Sequence, residues 1–163
     1  MKIRNQIRLI KFAFIITLIF VLLSSFDDAE RGFKDGYNAA GMENSPGWTY
    51  GVLLLFISFF TLRVLVYLYR FIDSVQDGSV FNDENIIRLT RMGFYCISLP
   101  FLLFMLNAID YVRHSGIQNM QIGILIKQID FEIWLLIFGL TLLTIAFVFK
   151  TGIELKKESD LTI

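Results

Sequence analysis

The chain has one cysteine, one histidine and two prolines among 163 residues, and its formal net charge is zero. With Cys96 alone, no intrachain disulfide can form, and a lone cysteine reads as a small apolar residue. The single histidine, His114, excludes a metal site built on a His pair. No phosphate-cradling glycine loop and no Gly-x-Ser-x-Gly nucleophile turn occur. Zero net charge leaves no whole-molecule field to attract nucleic acid. These absences predict a protein that is not an enzyme, carries no metal or cofactor, and does not bind nucleic acid directly.

What is abundant is apolar surface. Apolar residues make up 55% of the chain, and the mean hydropathy is +0.61; soluble chains run at about 45–50% apolar. Four apolar stretches stand out, at roughly 7–26, 48–71, 94–112 and 131–149. Each is close to the ~20 residues that a helix needs to cross a bilayer core of ~30 Å. The expected fold is therefore an all-α membrane protein with four transmembrane helices, forming a single membrane domain over 1–163.

Charge distribution predicts how the chain is threaded. Lys and Arg near span ends resist translocation. One side collects ten of them: Lys2, Arg4, Arg8 and Lys11, then Arg70, Arg88 and Arg91, then Lys150, Lys156 and Lys157. The other side has Arg31, Lys34, Arg113 and Lys127, with Asp27, Asp28, Glu30, Asp35 and Glu43 in its first loop. Both termini are thus expected in the cytoplasm, with outer loops at 27–47 and 113–130, an inner loop at 72–93 and a cytosolic tail at 150–163. Interfacial aromatic residues agree: Trp48, Tyr50 and Trp134 fall on the outer side, and Tyr67, Tyr69, Phe94 and Tyr95 on the inner. A cleaved signal peptide is the rival reading of the N-terminus, but Ser24, Ser25 and Phe26 make a poor cleavage site.

The first outer loop carries Gly32, Gly36, Gly41 and a Ser45-Pro46-Gly47 turn signal. In the second, Ile122, Ile124 and Ile126 alternate as in a short strand or interfacial segment. The inner loop holds the most specific local pattern. Asp77-Gly78 supplies a turn in which glycine takes a positive φ. Asn82 is placed to cap a helix whose first turn carries Asp83 and Glu84, and Phe81 and Ile86 are spaced for a hydrophobic staple. Glu84 precedes Arg88 by four residues, the favourable order for a helical ion pair. The helical pattern runs unbroken from Asp83 into the third span, so helix three should extend into the cytosol by ~15 Å. Pro100 lies inside that span and is expected to kink it.

Few polar groups lie within the spans. Arg63 is an intramembrane charge, and such a residue is a functional candidate by default; it is also within snorkelling reach of the inner headgroups. Asn107 and Asp110 sit one turn apart near the outer end of span three. A transport pathway through Arg63, Asn107 and Asp110 is one reading, and ordinary interfacial pairing is the other. Cys96 and His114 fall near opposite faces, which removes a Cys–His nucleophile. Arg4, Arg8 and Lys11 form a basic face suited to anionic headgroups.

Two segments resemble a known family. The inner motif contains Gly78, Phe81, Asn82, Glu84, Asn85, Arg88, Leu89, Arg91 and Gly93, and the ending contains Lys150, Gly152, Glu154 and then Asp160, Leu161, Thr162 and Ile163. Together they are similar to the bacterial four-span membrane family catalogued as domain of unknown function 2975. Asn82 stands where that family often has Thr or Ser, and it caps equally well. The resemblance transfers no functional residue. It implies multi-pass residence in a bacterial cytoplasmic membrane. Because members are often encoded beside a small helix-turn-helix regulator, it also implies such a partner on the cytosolic face.

The leading expectation is an integral membrane protein acting as a sensor or regulatory partner. Its docking candidates are Phe81, Asn85, Arg88, Arg91, Asp160, Leu161 and Ile163. The alternative is a small transporter or channel subunit using Arg63, Asn107 and Asp110. A lipid-binding role through the N-terminal basic face comes third. The lipid bilayer is a partner in every case, and the sequence is compatible with a homo-oligomer as well as with a single copy.

Overall fold

A computed structural model describes residues 3–39, 48–115 and 131–161. Among these the architecture is helical: α1 (Ile3–Ala39), α2 (Trp48–Gln76), α3 (Asp83–Ser115) and α4 (Ile133–Leu161). All four contain segments long and apolar enough to cross a membrane. The reason is solvent: hydrocarbon offers no partner for backbone N–H and C=O groups, and a helix satisfies them within one segment. The residues group into two compact units, Met1–Val52 and Leu53–Ile163.

In the first unit α1 is longer than expected. The sequence places an outer loop from residue 27, whereas the helix continues to Ala39. Gly32 and Gly36 each cost only about 1 kcal/mol in a helix interior, and no proline intervenes before Pro46. Asp27 with Arg31, and Glu30 with Lys34, follow the acid-before-base i,i+4 order that supports a helix. Through its apolar part, α1 exposes Leu9, Ile10, Phe12, Phe20, Leu22 and Leu23. An all-round apolar helix of this kind is a membrane span. The Thr17 hydroxyl donates to the Ala13 carbonyl (2.9 Å), so it brings no unpaired polar group into the lipid. The alternating segment Ile122–Ile124–Ile126 lies outside the described residues.

The second unit is built on α3 and α4, which run antiparallel. Leu89, Met92, Cys96 and Leu99 of α3 are buried, as are Leu142 and Ala146 of α4 and Tyr67 of α2. The backbones meet most closely at Gly93 and Gly139. A Cβ on Gly139 would stand 2.9 Å from the Gly93 carbonyl oxygen and 3.0 Å from the Ile97 nitrogen. Between spans there is no hydrophobic drive, since lipid is as apolar as leucine, so small residues earn their place by allowing dispersion contact. Pro100 sits within the continuous α3 and is fully buried. Aromatic rings set the α2–α3 spacing: Phe60 meets Tyr95 at 4.9 Å, and Tyr67 stacks on Tyr95 at 6.3 Å and 12°. At the opposite end, Phe131 packs edge-on against Phe101 (5.5 Å).

Candidate functional site at the hairpin

The hairpin between α2 and α3 is built by local chemistry. Gly78 has a φ of 78°, a left-handed conformation open to glycine at little cost. Around it, Ser79 N–H donates to the Ser74 carbonyl (3.0 Å) and Gly78 N–H to the Val75 carbonyl (3.2 Å). This six-to-one and five-to-two pair is a Schellman ending. On the far side, the Asn82 side-chain oxygen accepts from the Asn85 backbone N–H (2.7 Å), as the expected cap of α3.

A polar network locks the two ends together. Asn85 is 0% exposed. Its amide nitrogen donates to Ser74 Oγ (2.8 Å) and to the carbonyls of Ser79 and Val80 (3.0 Å each). Its oxygen accepts from Arg88 Nη1 (2.9 Å). The amide orientation is fixed, because two carbonyls can only accept and a guanidinium can only donate. Ser74 and Ser79 hydroxyls lie 3.0 Å apart, and Ser79 Oγ donates to the Ser74 carbonyl (3.2 Å). Arg88 also donates to Glu84 Oε2 (2.6 Å) and to the Arg70 carbonyl (3.4 Å). The expected Glu84–Arg88 pair therefore forms, and it takes part in closing the hairpin.

Two recesses flank this network. The first, ≈ 350 Å³, is polar and sets Arg70 and Arg88 among Asp73, Asp77 and Glu84. Its mixed signs give it no strong preference for one charge. The second, ≈ 540 Å³, lies between Phe81 of the hairpin and Gly152, Ile153, Lys156 and Lys157 of α4. Phe81 is 68% exposed, with one flank against Phe149 at 4.8 Å. Gly152 has open space where a side chain would be. Lys157 reaches Asp83 only at 3.9 Å, between largely exposed side chains, a contact worth little.

The docking candidates thus separate. Phe81 is exposed and lines a recess. Arg88 is half-buried and engaged on three sides, and Arg91 is exposed with one nitrogen donating to the Tyr67 hydroxyl (3.0 Å). Asn85 is a correction: full burial removes it from any docking surface, and its amide holds the hairpin shut. Asp160 and Leu161 end α4, with side chains outside the described residues, as is Ile163. Arg63 is exposed on α2, its guanidinium 5.3 Å from the Phe59 ring centre. Asn107 and Asp110 are exposed near the other end of α3. Ser74, Ile153, Lys156 and Lys157 were not among the predicted site residues. A signal for Asn85 was present: it shares a helical face with Leu89, Met92 and Cys96, the stripe that becomes the core.

These features define a multi-pass integral membrane protein with an ordered polar hairpin at one end of its spans. Residues 34–163 match the family described as Protein of unknown function (DUF2975), and the chain belongs to that family. No curated protein and no solved structure matches it.

Proposed function

We propose that this is a non-enzymatic regulatory membrane protein of the bacterial cytoplasmic membrane, with both termini in the cytosol. Its hairpin end holds a small helix-turn-helix regulator at the membrane surface. The observation that carries the reading is the recess between Phe81 and Ile153, rimmed by Lys156 and Lys157. An apolar floor beside two ammonium groups suits an amphipathic segment with one bulky apolar residue and flanking carboxylates. The Asn85 network supports this by presenting Phe81 from a preorganised loop, which lowers the entropy lost on binding.

Membrane co-purification followed by variants tests it. The expected result is recovery of a helix-turn-helix protein, its loss on Phe81→Asp or on Lys156→Glu with Lys157→Glu, and an altered transcript profile on deleting residues 150–163. If wild-type membranes repeatedly yield no such protein and the deletion changes no transcript, the reading fails. A transporter role through Arg63, Asn107 and Asp110 draws less support, because these side chains are exposed and neither of the two hairpin-end recesses includes them.

A further inference from the structure

Arg63, Tyr67 and Arg70 recur at i, i+4 and i+7 and share one face of α2. The Tyr67 ring is buried and stacked on Tyr95, so packing fixes its place. Two guanidinium groups converge on it. Arg63 comes along α2, 6.0 Å from the ring centre, and Arg91 comes from α3, 5.9 Å from the centre with its hydrogen bond to the hydroxyl. Both arginines are exposed. The ion pairs Arg88–Glu84 and Lys157–Asp83 involve neither of them.

Aromatic faces attract cations but do not neutralise them. Arg63 lies about 10 Å along the helix from Arg70, toward the middle of the apolar stretch, and a charge at that depth is costly unless it meets a counter-charge. The exposed neighbours Phe59, Leu62 and Val66 are apolar, so what approaches from the side is lipid. A soluble anion has no favourable route there. The negative charge of a lipid is its phosphate in the headgroup layer, which the Arg63 side chain can reach by snorkelling toward the hairpin end.

We propose that Arg63 and Arg91, held by Tyr67, bind the phosphate of an anionic phospholipid, with an acyl chain lying along Phe59 and Phe56. The site is independent of the regulator-docking recess, which uses Phe81, Lys156 and Lys157.

The test uses the full chain purified in non-ionic detergent and titrated with lipid, reading the unfolding midpoint. Phosphatidylglycerol should raise the midpoint more than phosphatidylcholine. Arg63→Gln combined with Arg91→Gln should lower the apparent affinity for phosphatidylglycerol about tenfold or more, which corresponds to about 1.4 kcal/mol. Lys156→Gln with Lys157→Gln should leave it unchanged. Equal shifts with both lipids overturn the proposal, as does full retention of the difference in the arginine variant or equal loss in the lysine variant. Inorganic phosphate alone should give no shift; a matching shift would make the ligand a free anion and overturn the lipid assignment. Should the arginine variant not fold, native mass spectrometry of the wild-type protein decides. Bound phosphatidylglycerol should survive activation that strips phosphatidylcholine, and equal loss of the two sinks the site.

Discussion

Asn85 shows how one buried amide can govern a hairpin. It ties together Ser74 Oγ, the Ser79 and Val80 carbonyls and Arg88 Nη1, and no buried side-chain polar atom among the described residues lacks a partner. Replacing it with leucine preserves volume but takes the side-chain donor from the Val80 carbonyl and one hydrogen bond each from Ser74 Oγ, the Ser79 carbonyl and Arg88 Nη1, which keep other partners. At about 1–3 kcal/mol for an unsatisfied buried group, Asn85→Leu should lose about 1–3 kcal/mol in equilibrium unfolding in detergent. Asn85→Asp should also destabilise although it keeps the Arg88 contact, because a carboxylate has no N–H to give the Ser79 and Val80 carbonyls. A neutral result for the aspartate would mean that the donor role is not what matters. Gly139 poses the complementary problem of space. Gly139→Ala puts a methyl against backbone atoms at 2.9 and 3.0 Å, which cannot swing away, so α3 and α4 must separate; about 1–3 kcal/mol of stability should be lost.

At the scale of the element, the ends were the most legible features. The Gly78 ending of α2 and the Asn82 start of α3 rely on neighbours within a few residues, so their chemistry is written in consecutive letters. Gly78→Ala should cost about 1–2 kcal/mol, since its Cβ is strained at positive φ whatever space surrounds it. Asn82→Ala should cost about 1 kcal/mol, and Asn82→Ser should be near neutral, because a hydroxyl caps the same N–H. Thermal unfolding of the three variants checks the order. α1 outruns its apolar stretch for a physical reason. Isolated glycines and charges signal departure from the hydrocarbon, but they do not break a helix, so the end of a span and the end of a helix are separate events. Asn85 follows the same logic: its place on the core stripe with Leu89, Met92 and Cys96, not its polarity, decides that it is buried.

For the whole molecule, the uneven distribution of Lys and Arg makes a prediction that helix geometry alone cannot make. With Cys96 replaced by alanine, a single cysteine at Ser159 should react with a membrane-impermeant reagent only when the cytosolic face is opened, and one at Gly47 should react from outside. The reverse pattern would invert the topology and move the hairpin, together with its proposed regulator, to the wrong compartment. The lipid site makes no demand on that assignment, since it needs only the leaflet at the hairpin end.

The sequence by itself determined the four helices, their membrane-crossing character, the turn at Gly78, the cap at Asn82 and the Glu84–Arg88 pair. Each follows from composition over about 20 residues or from contacts within one turn. The tertiary structure alone decided that Gly93 meets Gly139, that Asn85 reaches back to Ser74, and that Arg63 and Arg91 converge on Tyr67. These partners come from different helices or from opposite sides of the turn. Hydropathy cannot foresee such pairings, because lipid and protein interior are equally apolar and a span's pattern does not say which of its faces meets which.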